Sequence, residues 1–122
     1  MRYLHENLTE TIISRIIKVH QTLGPGFLES IYKRALILEL GLASLHLEVE
    51  KEIIVLYSGQ EIGRHRLDLL VEDKIVLEIK AAQELNPSHY AQVRSYLKAT
   101  GLRVGLLVNF SKLQADYRRI EL

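Results

Sequence analysis

The stretch that decides the fold is RHRLDLLVEDKIVLEIK, residues 64–80. Its two apolar, β-branched runs are interrupted only at residues 72–74, which predicts two antiparallel strands joined by a tight turn. Strand side chains alternate between faces, so Glu78 and Lys80 point to one face while Ile79 points to the other. One face of the second strand is therefore polar, and the other is available to the core.

The length of this turn also predicts the register of the two strands. If residues 72–74 form a three-residue turn, Asp68 lies directly opposite Glu78 on the same face. Two carboxylates about 4 Å apart repel by roughly 4 kcal/mol at an effective dielectric constant of about 20. Lys80, a shared proton or a divalent cation would each compensate this repulsion.

The alternative interpretation of these charges is a cross-strand salt bridge on a solvated sheet. Two alanines follow Lys80, and the strand before it is apolar at every other position. This pattern favours a central, covered strand over a solvated edge. A covered acidic pair in turn favours a functional role.

Length and composition limit the class of protein. The chain has 122 residues, no cysteine and a net charge of +1. We therefore expect a single domain over residues 1–122, without disulfides or thiolate metal sites. The N-terminal segment lacks the apolar run of a signal peptide, and no later run is long enough to cross a membrane. These features predict a cytoplasmic protein that does not enter a membrane.

Two helices are predicted before the strands. The first has Asn7 as its N-cap and Glu10 as the reciprocal partner, and ends near Leu23. The second covers residues 27–40 and stops at Gly41. Apolar residues at helical spacing predict one buried stripe on each helix. The stripes consist of Leu8, Ile12, Ile16, Val19 and Leu23 in the first helix, and Leu28, Ile31, Ala35 and Leu38 in the second.

Two polar residues lie beside these stripes. His20 lies at the border of the first stripe, where a histidine is more often packed and hydrogen-bonded than a ligand. Glu29 lies one turn from Lys33 on the second helix, so a surface ion pair between them is the simplest interpretation of Glu29.

The hydrophobic period changes from helical to strand-like after the second helix. A strand over residues 48–57 is followed by a turn and a second strand over residues 61–71, and a third strand covers residues 75–81. Their connections are too short for a crossover, which predicts an antiparallel meander.

A third helix is predicted from its cap, Asn86, to Gly101, with Pro87 in the first turn. Gln92 on this helix is either solvated or directed at the acidic patch. A short, β-branched segment over residues 103–109 predicts a buried strand parallel to its neighbour. The helix is expected to use Tyr90, Val93 and Leu97 for core contacts, and to carry a polar stripe of Ser88, Gln92 and Tyr96. The last segment, after residue 109, has no clear pattern.

The predicted order of elements resembles the αβββαβ core of the PD-(D/E)XK nuclease superfamily, with one additional N-terminal helix. Asp68, followed after nine residues by Glu78-Ile79-Lys80, looks like the D…(D/E)-x-K signature, with Leu67 where the proline would stand. The segment GFLESIY, residues 26–32, matches the motif of the small bacterial and archaeal GxxExxY family. The resemblance implies a restriction-endonuclease-like fold with a mixed α/β sheet.

The resemblance also implies a set of site residues. Matched residue by residue, the catalytic groups fall on Glu29, Asp68, Glu78, Lys80 and Gln92. The implied ligands of Mg²⁺ or Mn²⁺ are Asp68, Glu78, the backbone carbonyl of Ile79, and Glu29. Lys80 would hold the attacking water or stabilise developing negative charge, and Gln92, with Tyr96, would orient water or the nucleic-acid backbone.

Three functions are compatible with these residues. The first is metal-dependent hydrolysis of nucleic acid, with DNA favoured over RNA as substrate. The second is a non-catalytic module that keeps the nuclease fold and binds nucleic acid or a protein. The third is a purely structural ion-pair cluster. Because so small a core has no separate DNA-reading element, the first function would use a homodimer or a larger protein partner to grip its substrate.

Overall fold

Helices and strands cover most of residues 3–122, the part of the chain that the computed structural model describes. The helices are α1 (Glu6–Leu23), α2 (Glu29–Leu42) and α3 (Pro87–Thr100). The strands are β1 (Leu47–Val49), β2 (Glu52–Tyr57), β3 (Gln60–Arg66), β4 (Leu69–Val71), β5 (Ile75–Lys80), β6 (Val104–Asn109) and β7 (Asp116–Glu121). Within residues 3–122, none of the helices combines the length and hydrophobicity needed to span a membrane.

The central strand of the main sheet is β5. The sheet has five strands in the order β1-β4-β5-β6-β7. β5 is antiparallel to β4 and parallel to β6, and α3 makes the crossover between β5 and β6. β2 and β3 form a separate two-stranded antiparallel ribbon. The structure confirms the predicted mixed α/β fold, which is consistent with a restriction-endonuclease-like architecture.

Helices cover both faces of this sheet. α1 and α2 pack on one face, where Leu77 and Ile79 of β5 join their core, and α3 packs on the other, where Val76 joins its core. Because strand side chains alternate, Glu78 and Lys80 share the α3 side with Val76. The polar face of β5 is thus covered by a helix.

The predicted continuous meander is wrong, since two of its strands are each broken. The segment predicted as one strand over residues 48–57 divides at Glu50, whose left-handed backbone (φ 52°) turns the chain out of the sheet. The facing strand divides at the same level, and the Glu50 N–H donates to the Asp68 carbonyl at 2.9 Å. The outer halves of the two strands form the β2–β3 ribbon, and the inner halves join the main sheet.

The first helix follows the prediction except at its start. Ile12, Ile16 and Val19 are buried as expected. The helix begins at Glu6, so Asn7 lies inside it and does not cap it. The capping position is taken by His5, whose backbone is left-handed and whose side chain makes no capping hydrogen bond.

The buried face of α2 differs from the predicted stripe. Leu28 and Leu38 are 71% and 70% exposed, whereas Tyr32 is fully buried and stacks on Phe110 with 4.6 Å between ring centroids. Periodicity does not distinguish the two apolar faces of this helix, and the aromatic contact selects the one that meets the sheet. The predicted stop at Gly41 is also wrong, because the helix ends one residue later. The whole buried face is Tyr32, Leu36 and Leu40.

The C-terminal third matches the prediction up to residue 109, except that Tyr96, expected on the polar stripe of the helix, is buried with Val93 and Leu97. Asn86 caps α3 by accepting the N–H of Ser88 at 2.9 Å, and Gly101 ends it with φ 76°. β6 is parallel to β5 as expected. β7, which no sequence pattern predicts, pairs antiparallel with β6 and closes that side of the sheet.

Candidate active site

Asp68 and Glu78 meet where β4 begins and β5 ends. Val71 pairs with Ile75 in this hairpin, which confirms the predicted register and brings Asp68 beside Glu78. Asp68 Oδ2 accepts the backbone N–H of Ile79 at 2.8 Å, and Glu78 Oε1 accepts the backbone N–H of Asp68 at 3.2 Å. Each carboxylate is therefore held by the main chain of the facing segment.

Glu78 is the most strongly perturbed acid of this pair. Its side chain lies in the α3-covered layer, with a relative exposure of 3%. Burial raises the pKa of Glu78 from 4.5 to about 8, the negative charge of Asp68 acts in the same direction, and Lys80 opposes it. Lys80 thus does not offset the combined effect of burial and of Asp68, and the pKa of Glu78 stays above its ordinary value.

Lys80 ends the central strand on the same face as Glu78. It pairs in register with Asn109 of β6, and its carbonyl accepts the N–H of Phe110 at 3.0 Å. The side chain is partly buried. Its positive charge acts to lower the pKa of both Glu78 and Glu29, so the ammonium group faces both acids.

Asn109 fixes the segment that follows Lys80. Its side chain is fully buried, accepts the N–H groups of Ala82 at 3.0 Å and Ser111 at 3.2 Å, and donates to the Ala82 carbonyl at 2.8 Å. We call this set of Asn109 hydrogen bonds to Ala82 and Ser111 the Asn109 clasp. Its sequence signal is a lone polar residue at the end of an otherwise apolar strand. That signal does not reveal the partners, because they lie on loops after two different strands.

The first turns of α2 bring Glu29 and Lys33 to the same cluster. Glu29 is exposed at the start of the helix, yet partial burial of its carboxyl raises its pKa, with Lys80 opposing and Asp68 adding to the rise. Lys33 pairs with Asp68 and Glu50 rather than with Glu29, since its Nζ lies 3.4 Å from Asp68 Oδ1 and 3.2 Å from Glu50 Oε1. The role of Lys33 is not predicted by the sequence, although its i+4 spacing from Glu29 puts both on one face of α2.

Helix α3 contributes Gln92 and Tyr96 from the other side. Tyr96 is 4% exposed. Burial raises the pKa of Tyr96 to about 12, the charge of Glu78 adds to the rise, and a hydrogen bond with Gln92 opposes it. Of the two alternatives for Gln92, the structure therefore favours the one directed at the acidic patch. The ring of His65, from β3, packs edge-on against Tyr96 with 4.8 Å between centroids.

A second acidic group lies at the opposite end of the β4–β5 hairpin. The ligand atoms of His46, Glu48 and Asp73 lie within 4.8 Å of one another, with His46 and Asp73 exposed. Glu48 also pairs with Lys51 at 2.6 Å, and this hydrogen bond lowers the pKa of Glu48. The group depends on the pairing of β1 with β4, which the sequence alone does not predict at this register.

His20 lies in the last turn of α1. Its ring is buried, its Nε2 hydrogen-bonds to the Lys112 carbonyl at 2.7 Å, and it stacks on Phe110 with 6.2 Å between centroids. This is the packed, hydrogen-bonded histidine expected from the sequence.

Comparison with known proteins gives this arrangement a family. A model of the PD-(D/E)XK nuclease superfamily matches residues 6–120. The chain belongs to this superfamily. The crystal structure of SSO0001 aligns with it at a TM-score of 0.54 and 21% identity, over 98% of this chain and 80% of that chain, which supports the fold. A search among curated proteins finds no significant match.

Membership in the PD-(D/E)XK superfamily suggests metal-dependent nuclease activity on nucleic acid. Nucleases of this superfamily generally use divalent metals, and two acidic groups in this chain offer oxygen ligands of the kind such ions prefer. One group is the covered pair of Asp68 and Glu78. The other is the exposed group around Asp73.

Proposed function

We propose that this PD-(D/E)XK protein, as a member of the GxxExxY type, hydrolyses phosphodiester bonds of nucleic acid at the Asp68–Glu78 pair. The observation that carries the proposal is the burial of Glu78 directly beside Asp68, with each carboxylate oriented by a main-chain N–H of the facing segment. A buried pair of acids that retains a proton is a poor stabilising feature. The same pair binds a divalent cation favourably, because the cation replaces the proton.

The donor set of this site fits a hard divalent cation. Asp68, Glu78 and the carbonyl of Ile79 offer oxygen ligands, which Mg²⁺ and Mn²⁺ prefer, and Glu29 faces the same cluster from α2. When bound, such an ion polarises the scissile phosphate and lowers the pKa of a coordinated water. Main-chain N–H groups already orient both side chains, so the ligands are held in place without the ion.

Lys80 is the proposed catalytic cation of the site. Its ammonium group, presented at the end of the central strand, would hold the attacking water and stabilise negative charge that develops on the phosphate. The buried clasp of Asn109 and the hydrogen bond from Phe110 keep the main chain at Lys80 in position. Gln92, with Tyr96, would orient the water or the nucleic-acid backbone from α3.

The proposed substrate is DNA rather than RNA. A net charge of +1 provides little general attraction to a polyanion. We therefore include a homodimer or a larger protein partner as part of the functional unit, since either one would enlarge the surface that contacts the substrate.

One contact favours a second candidate function. Lys33 already brings a positive charge to Asp68 Oδ1. In a non-catalytic module, this lysine would neutralise Asp68 in place of a metal, and the nuclease fold would serve to bind nucleic acid or a protein.

A cleavage assay distinguishes the two functions. Labelled DNA and RNA, single- and double-stranded, would be incubated with Mg²⁺ or Mn²⁺ and the native chain, Asp68→Asn, Lys80→Ala or the control Lys74→Ala. Lys74 is exposed in the β4–β5 turn, at the far end of the hairpin. We expect metal-dependent cleavage by the native chain and the control, and its loss in the other two. Cleavage that persists in Asp68→Asn and Lys80→Ala would contradict the proposal, and metal binding without cleavage would favour the non-catalytic module.

A further inference from the structure

A groove of about 380 Å³ lies between the β2–β3 ribbon and α3, outside the acidic site. Residues 54–56 of β2 form one wall, and Ser95, Lys98 and Ala99 of α3 form the other. His65 lies at the inner end of the groove. The volume is of the order that small-ligand pockets have.

The lining of the groove combines aliphatic walls with neighbouring positive charges. The walls are mainly aliphatic, from residues 54–56 and Ala99, while Lys98 supplies a cation at the rim. Arg94 lies one helical turn before Lys98 on the same exposed side of α3, so the two cations are neighbours along the helix. Within residues 3–122, neither of them forms a salt bridge. An apolar slot beside a free cation matches a ligand with a flat apolar part and an adjacent anionic group.

The groove neighbours the acidic site along α3. His65 lines the groove and packs against the buried ring of Tyr96. Gln92, which lies beside Tyr96, precedes Ser95 of the groove by one helical turn, and both are partly exposed. A chain that passes from the Asp68–Glu78 pair toward the groove would therefore follow the surface of α3 from Gln92 to Ser95 and Ala99. Of the polymers that combine flat apolar groups with regularly spaced anions, nucleic acid fits this path.

We propose that the groove between β2 and α3 binds one nucleotide of the substrate strand, adjacent to the nucleotide at the cleavage site. This inference rests on the function proposed above and adds a binding subsite to it. The base enters between residues 54–56 and Ala99, and Lys98 and Arg94 contact the flanking phosphates. Because aliphatic walls offer no hydrogen-bond donor or acceptor to the edge of a base, the subsite accepts an unpaired base with little preference for its identity.

The competing occupant is an extended peptide. β2 is an edge of its two-stranded ribbon, and an edge strand can pair with another strand. The free cations on α3 and the path to the acidic site favour the nucleotide. If the groove binds a peptide instead, substitutions in the groove will leave the binding of the oligonucleotide unchanged in the experiment below.

The test measures binding in a background that does not need cleavage. Fluorescence anisotropy would follow a labelled twelve-nucleotide single-stranded DNA on full-length Lys80→Ala, and on this chain with Lys98→Ala, Ala99→Leu or the control Lys74→Ala added. Ala99→Leu narrows the groove without changing charge and without adding an aromatic ring on which a base could stack. We expect about 5-fold weaker binding for Lys98→Ala, with the salt slope reduced by about 0.7, and about 10-fold weaker binding for Ala99→Leu, because the base no longer fits. The control should stay within about 2-fold, since its lysine lies far from the groove.

A second readout separates an inserted base from simple attraction. A 2-aminopurine at one position of the same strand should change its fluorescence on binding, and Ala99→Leu should remove that change at that position alone. Melting curves establish that each variant is folded. Native-like binding by both Lys98→Ala and Ala99→Leu would overturn the proposal. Groove-dependent binding without cleavage by the native chain would leave this proposal standing and contradict the nuclease function, whereas cleavage with groove-independent binding would do the reverse.

Discussion

The two ends of the β4–β5 hairpin carry acidic groups in opposite environments. At the end near α3, Asp68 and the buried Glu78 exchange hydrogen bonds with main-chain N–H groups. At the turn, Asp73 lies beside His46 and Glu48 in an exposed position, and Lys51 pairs with Glu48. Both ends contain two carboxylates at close range, although Glu48 at the turn end is contributed by β1.

The environments shift the pKa values in opposite directions. Burial raises the pKa of Glu78 to about 8, whereas a hydrogen bond from Lys51 lowers the pKa of Glu48. At the turn, which we call the exposed end, solvent and Lys51 compensate the negative charge of Glu48. At the end near α3, which we call the covered end, the negative charge of Asp68 and Glu78 is compensated only in part, and binding of an additional cation is favoured. Close carboxylates therefore indicate a functional site when they are also buried and undercompensated.

The largest expected difference between the two ends is catalytic. The matched variants Asp68→Asn and Asp73→Asn each remove one carboxylate charge without changing shape. We expect Asp68→Asn to reduce the initial cleavage rate by about 10³-fold, because a ligand and its charge are lost from the transition state. Asp73→Asn should stay within about 2-fold. Similar losses in both variants would mean that the exposed end also takes part in the reaction.

The pH dependence of stability should come mainly from the covered end. Glu78 has a pKa of about 8 in the folded chain, above the ordinary value of 4.5, so the folded state holds this proton more tightly than the unfolded state. The free energy of unfolding of the metal-free chain should therefore be highest below about pH 4.5 as far as Glu78 is concerned, and fall as the pH rises to about 8. The loss attributable to Glu78 is on the order of a few kcal/mol. Urea unfolding at several pH values, with chelator present, measures it.

Glu78→Gln provides the control for this pH dependence. The variant cannot ionise, so the difference in unfolding free energy between native chain and variant should change in favour of the variant as the pH rises. A difference that is constant between pH 5 and pH 8 would show that Glu78 titrates normally. The equivalent variant Glu48→Gln should show a change of the opposite sign or none.

The clasp behind the covered end should be important for stability. Asn109→Ala removes a fully buried side chain and leaves the partly buried N–H groups of Ala82 and Ser111 without their acceptor. We expect a loss of about 2–3 kcal/mol in the free energy of unfolding. Asn86→Ala, which removes an exposed helix cap, should lose only about 1 kcal/mol. Chemical denaturation of the two variants checks the order, which a smaller loss for Asn109→Ala would reverse.

The smallest expected effects concern the two lysines that pair with the acidic ends. Lys33→Met removes a partly buried contact with Asp68 and Glu50 and should lower the free energy of unfolding by about 1 kcal/mol. Lys51→Met removes the exposed contact with Glu48 and should leave the melting temperature unchanged within error. Equal losses of stability in Lys33→Met and Lys51→Met would contradict the expected difference between the covered and the exposed ion pairs.

Local rules were sufficient to predict the covered end. A three-residue turn places Asp68 opposite Glu78, and strand alternation places Lys80 on their face, so both relations follow from short distances along the chain. The caps of α3 at Asn86 and Gly101 are equally local. These features depend on backbone geometry within a few residues.

Features that depend on distant partners were not predictable in this way. Helix α2 has two apolar faces, and only the stacking of Tyr32 on Phe110 identifies the buried one. The contact of Lys33 with Asp68 requires α2 to pack beside β4, and Glu50 adopts a left-handed conformation that its residue type does not predict. In each case the deciding interaction joins segments that are far apart in sequence.

The central claim is that the covered pair binds a divalent cation in exchange for a proton. Calorimetric titration of the native chain, Asp68→Asn and Asp73→Asn with Mn²⁺ at pH 7, in two buffers of different ionisation enthalpy, tests it directly. We expect binding by the native chain with release of about one proton, because Glu78 is protonated before the ion binds. Asp73→Asn should behave like the native chain, and Asp68→Asn should lose most of the affinity. Absence of binding by the native chain, or binding that disappears in Asp73→Asn and persists in Asp68→Asn, would contradict the claim.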